Sequence, residues 1–192
     1  MSKSVAALRI PDALYLLVLM WIIQTAQTFF GFELAAYGIM PRTMDGLWHI
    51  ALAPWIHHGI WHLLSNSVPF LLLGWLIQSK ERVLFWEVTL LLVIVGGLGT
   101  WGFGSSAYHA GASGVVFGYW AYLIADAYYS RSPKNILLAT VTVCLYGGLI
   151  ISLVDIRPHI SWIGHASGMA AGVLVAKFAN RVKRSAVKLR SR

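Results

Sequence analysis

The sequence predicts an all-α, polytopic membrane protein that crosses the bilayer six times within a single domain covering residues 1–192. Three observations carry this expectation. Only 11% of the 192 residues are charged and 58% are hydrophobic, whereas a soluble domain of this length carries about 25% charged residues. Apolar stretches of roughly 20 residues, the length that spans a bilayer core as a helix, recur along the chain. Positive charge is also partitioned: with the N-terminus inside, only Arg42 and Arg157 of the 15 Lys and Arg residues fall outside, as the positive-inside rule requires.

The spans are expected at 12–31, 59–78, 84–101, 113–130, 135–153 and 161–178. Residues 1–11 form a cytoplasmic N-terminus. The first span is as long as a membrane helix, lacks a clear small-x-small cleavage site and is followed by further apolar runs, so it does not read as a cleaved signal. Residues 32–58 contain Pro41, Arg42, Asp45, Trp48 and Pro54 and are too interrupted to cross. They predict a structured outer loop lying partly in the interface, with tryptophans at headgroup level. Lys80-Glu81-Arg82 separates the second and third spans, Arg131-Ser132-Pro133-Lys134 the fourth and fifth, and Asp155-Ile156-Arg157-Pro158 precedes the sixth. Cys144 is the single cysteine, which excludes an intrachain disulfide, and its apolar neighbours predict an inert packing residue. The tail 179–192 is basic. No aromatic residue follows Phe178 to stack on bases, so the tail is expected to lie inside against anionic lipid and not to bind nucleic acid.

In this orientation the second, fourth and sixth spans all start outside, and each opens with residues able to do chemistry. The three strings are His62-Leu63-Leu64-Ser65-Asn66, Gly111-Ala112-Ser113-Gly114 and Gly164-His165-Ala166-Ser167-Gly168. Ser113 is the candidate nucleophile: Gly111 lets the chain turn sharply and leaves the hydroxyl at a helix N-terminus. His165 is the candidate general base, since a histidine in a membrane helix is costly unless it is used. Gly164, Gly168 and Gly172 recur every four residues and form a smooth face. Packed on the Gly114/Gly118 face, it brings His165 near Ser113. His109, four residues before Ser113, is a rival base, although Gly111 and the loop-like stretch from Gly102 to Ala110 argue against a continuous helix there. Ser167 cannot serve His165, being two residues away on the same helix. No carboxylate completes a triad, because Asp126 lies about 20 Å along the helix from Ser113 and Asp155 belongs to the preceding loop. A Ser–His dyad is the simpler account.

His62 and Asn66, at i and i+4, share a helical face and can donate hydrogen bonds to an oxyanion, or simply join helices as a polar pair. His57 is expected to support the site. A metal site at His57, His58 and His62 lacks an HExxH motif and a nearby acid, so neither metal nor cofactor is expected.

Taken together, these motifs resemble the rhomboid family of intramembrane serine proteases over essentially the whole chain. The resemblance rests on Pro41-Arg42 through Trp48, the His57, His62, Asn66 series, Gly111-Ala112-Ser113-Gly114, and His165 with Gly168 and Gly172. It implies Ser113 as nucleophile, His165 as base, and an oxyanion hole from His62, Asn66 and the Ser113 amide. It further implies that Phe117 stacks on the catalytic histidine and that His57 supports the site. The chain departs from the pattern at Trp48-His49, where many relatives carry Trp-Arg, and it resembles a minimal core with no sizeable soluble N-terminal domain. The expected activity is endoproteolysis of transmembrane segments of other proteins near the extracytoplasmic face of a bacterial inner membrane. The rival readings are a catalytically silent relative that binds membrane clients, and a transporter or haem-binding bundle using the histidines.

Overall fold

A computed structural model describes residues 10–153 and 161–190. Among them are seven α-helices: α1 (Asp12–Phe30), α2 (Met44–Trp48), α3 (Ile60–Gln78), α4 (Arg82–Phe103), α5 (Ser113–Ser130), α6 (Pro133–Tyr146) and α7 (Trp162–Arg190). Their boundaries follow local chemistry. Pro11 precedes α1, Asp12 sits in its positive first turn, and Gly31 ends it in the left-handed conformation. The Ser132 hydroxyl accepts from the Asn135 amide and Pro133 opens α6, a pairing of cap and first-turn proline that starts a helix efficiently.

Every stretch expected to span is helical where described, but among the described residues only α1, α3, α4 and α6 with its following turn (133–151) are long and apolar enough to cross a membrane. α5 and α7 are less apolar for a physical reason. Nearly all of α5 between Val115 and Ala127 is buried by other helices, so it need not match lipid and can carry Tyr119, Tyr122 and Asp126. α7 begins near His165 and Ser167 and ends in basic residues. Packing centres on α5, which lies against α3, α4, α6 and most extensively α7, while α1 packs on α3. α6 is the outermost helix, with Thr142 its one buried residue.

Near the C-terminal end of α5, Asp126 is buried, paired with Lys80 and bonded by the Asn180 amide at 2.7 Å. Asp126 thus joins the α3–α4 turn to α7. Residues 32–58 do not form a spanning helix. They build α2 and three short 3-10 turns at 34–37, 49–51 and 53–55. Two expectations need correction. Cys144 is exposed on α6 and not packed inside, because apolar neighbours mark a lipid-facing helix as readily as a core. The stretch from Gly102 to Ala110 is not all loop, since α4 runs on to Phe103. Asp155, Arg157 and Pro158 lie outside the described residues.

Candidate active site

The residues just before Ser113 are held from three directions. Gly111 has φ +124°, a conformation that side chains rarely adopt. Its amide donates to the Ala53 carbonyl at 2.9 Å. A Cβ on Gly111 would stand 2.6 Å from Cε1 of His62, so glycine is required both for the backbone and for the imidazole lying against it. The next amide, of Ala112, donates to Nε2 of His57 at 3.2 Å. These contacts deliver Ser113 as the first residue of α5, half-buried and facing a small cavity.

α7 meets this turn through its glycines. A Cβ on Gly168 would overlap the Gly114 carbonyl, one on Gly172 would overlap the Gly118 carbonyl, and one on Gly114 would lie 3.3 Å from the Gly164 oxygen. The two backbones therefore touch along three turns, an approach that only small residues permit. His165, next to Gly164, is buried, and its ring stacks on Phe117 with centroids 4.1 Å apart and planes 14° from parallel. Phe117 is one turn beyond Ser113 on the same face of α5. Ser113 and His165 consequently occupy facing turns of adjacent helices. Ser167 points elsewhere: its hydroxyl lies against Gly99 of α4.

His62 is in the first turn of α3, and Asn66 follows one turn later, its amide donating to the His62 carbonyl at 2.8 Å. One hydrogen of that NH₂ remains for another acceptor. The His62 ring meets His57 edge-on at 5.1 Å and stacks on His58 at 5.9 Å. His57 accepts at Nε2, so its neutral form carries the proton on Nδ1. Burial above all, then the nearby His62 and His58, pushes its pKa down to about 3. His58 is also lowered, chiefly by burial and then by His109. Among the described residues no three His, Cys, Asp or Glu side chains are arranged to hold a metal ion.

The cavity beside Ser113 has a volume of about 50 Å³ and is lined in part by Thr100, His109, Gly111, Ser161 and Gly164. It has polar groups and room for a water or two. His109, the rival base, is committed elsewhere: Nδ1 lies 2.6 Å from the Ser161 hydroxyl and Nε2 lies 3.0 Å from the Ser105 carbonyl.

The loop between α1 and α3 is anchored by Arg42 and Trp101. Arg42 adopts a left-handed conformation, φ 59°. Its guanidinium donates to the carbonyls of Gly104 at 2.9 Å and Gly102 at 3.4 Å, and its amide donates to Trp101. A fixed cation thus meets the negative end of α4. Trp101 returns a bond from its indole to the Thr43 carbonyl. His49 bonds the Gly38 carbonyl at 3.1 Å. Ser161 sits in no periodic pattern or short motif, so only the folded chain displays its contacts.

Residues 44–181 match the Rhomboid domain family. An uncharacterized protein of Mycobacterium tuberculosis is 34% identical over 177 residues, covering 88% of this chain and 74% of its own length. One from Mycobacterium leprae is 33% identical over 148 residues, covering 72% of this chain and 59% of its own. The RHOMBOID-like protein 1 of Arabidopsis thaliana is 24% identical over 132 residues, which is 67% of this chain and 33% of that protein. With the family match extending over most of its length, including the loop from residue 44 onward, the glycine turn before Ser113 and the α5–α7 contact, the chain belongs to the rhomboid family.

Proposed function

We propose that this protein is an intramembrane serine endopeptidase working through a Ser113–His165 dyad. The observation that carries the reading is the glycine contact of α5 with α7, which puts the stacked pair Phe117–His165 one turn from Ser113. Ser113 attacks a peptide carbonyl, and His165 takes its proton and passes it to the leaving amine. Water then hydrolyses the acyl-enzyme. The Ser113 amide, at the unpaired N-terminus of α5, together with His62 and the free hydrogen of Asn66, receives the oxyanion. The polar cavity beside Ser113 offers a store for the hydrolytic water.

In this reading α1, α3, α4, α5, α6 and α7 are six crossings with both termini inside, and the dyad lies toward the extracytoplasmic side of a bacterial inner membrane. α5 and α7 cross as helices sheltered by their neighbours. The substrates are transmembrane segments of other proteins entering from the lipid. The test is incubation of the purified protein in detergent with a model transmembrane substrate beside Ser113→Ala. Cleavage by wild type alone supports the proposal. Cleavage by both, or by neither while the wild type is folded, favours the silent client-binding alternative or a contaminating protease.

A further inference from the structure

His109 and Ser161 form a second hydroxyl–imidazole pair beside Ser113, and the direction of every bond in it can be assigned. Nε2 of His109 faces the Ser105 carbonyl, which can only accept, so Nε2 carries the proton. Nδ1 is then an acceptor, and the Ser161 hydroxyl donates to it at 2.6 Å. With its hydrogen spent, that same oxygen accepts the Gly164 amide at 3.1 Å, three residues on, as a helix N-cap does. The Ser161 carbonyl takes the amide of His165 at 3.1 Å. His109 is itself fixed by two backbone bonds to Ile39, at 2.8 and 2.9 Å, in the outer loop. The bonds therefore run without a break from the outer loop through His109 and Ser161 to the turn of α7 that bears His165.

Such a connection is needed because the α5–α7 contact is made of glycine backbone. A smooth face permits close approach but offers no side-chain knob to fix where one helix stops along the other. The Asp126–Asn180 bond holds the far end of α7, some fifteen residues from His165. At the near end, Ser161 is one turn before His165.

We infer that His109 is a positioning residue. Through Ser161 it fixes the first turn of α7, and so sets His165 against Ser113. This rests on the dyad proposed above. It gives the rival histidine a role without making it a base, and it connects the outer loop to the reactive pair.

The experiment measures the rate at which a fluorophosphonate probe labels Ser113 in the full-length protein in detergent. Cleavage kinetics on a model transmembrane substrate and thermal unfolding are followed in parallel. His109→Phe and Ser161→Ala break the connection, whereas His109→Asn supplies a carbonyl acceptor near Nδ1 and Ser161→Thr keeps the hydroxyl. The inference expects each breaking variant to label about 10–100-fold more slowly, the scale of a displacement of about 1 Å, with kcat lowered and KM little changed. The double variant should be no worse than the poorer single, and the two conservative variants should retain most of the rate. Wild-type labelling by His109→Phe would overturn it. So would losses that multiply in the double variant, or loss of labelling only in proportion to unfolding in both breaking variants. A wild type that is folded but unlabelled at Ser113 would instead refute the dyad itself.

Discussion

His57 illustrates how one side chain connects the loop before α3, the His62 ring and the serine turn. Its Nε2 receives the amide just before Ser113, and burial holds its pKa at about 3 against an ordinary 6.5. Because the folded state resists a proton that the unfolded state accepts below pH 6.5, its contribution to stability is whole above pH 6.5. It is lost progressively as pH falls toward 3, to the extent of a few kcal/mol. His57→Gln keeps an acceptor but does not titrate, so its unfolding free energy should vary less with pH than that of wild type across this window. Parallel curves for the two proteins would remove His57 as the cause. One turn into α3, Asn66 already spends one amide hydrogen on the His62 carbonyl. Asn66→Ala should lower kcat by about 10²–10³, the usual effect of losing one oxyanion donor. If Asn66 only braces the helix, the melting temperature should drop while activity per folded molecule persists.

At the scale of the elements, the decisive contact is α5 on α7. Gly168 touches the Gly114 backbone with no room for a Cβ, so Gly168→Val must separate the helices or move the strand of backbone ahead of Ser113. Either change should abolish cleavage and lower the melting temperature by several degrees, since overpacking a tight contact costs about 1–3 kcal/mol or more. Full activity of Gly168→Val would show that the helices can reseat. The Gly164, Gly168, Gly172 repeat was legible in the sequence because a four-residue period marks a helix face whatever lies opposite. Its partner stripe, Gly114 and Gly118, was legible for the same reason. The anchoring at Arg42 and the His109–Ser161 bond were not. Each depends on isolated residues brought together from 52 or more positions apart, and no local period announces such a pairing. Cys144 was misread because hydropathy alone does not separate a face turned to lipid from one turned to protein.

For the whole molecule, the sheltered position of α5 explains why only four of the described helices are apolar enough to cross a membrane while the candidate site draws on the more polar α5 and α7. A helix surrounded by helices can afford tyrosines and an aspartate. The proposed activity also constrains which substrates can be cut. A transmembrane substrate satisfies its own backbone hydrogen bonds, so its carbonyls are unavailable until the helix locally unwinds. Glycine or proline in the substrate's outer third lowers that cost by about 1–3 kcal/mol per residue relative to alanine. Among model substrates sharing one cleavage site, replacing those residues by Leu or Ala should therefore slow cleavage. Equal rates for stiffened and unstiffened helices would contradict selection by helix instability.

The central claim is that Ser113 and His165 act as one unit, and a comparison of three variants tests it most directly. Cleavage of a transmembrane substrate should be measured for Ser113→Ala, His165→Ala and the double variant, each confirmed folded by thermal unfolding. The account predicts that either single substitution abolishes turnover and that the double is no worse than either, because parts of one catalytic unit are not additive. Substantial turnover by Ser113→Ala, or a His165→Ala enzyme that keeps wild-type rates, would contradict it.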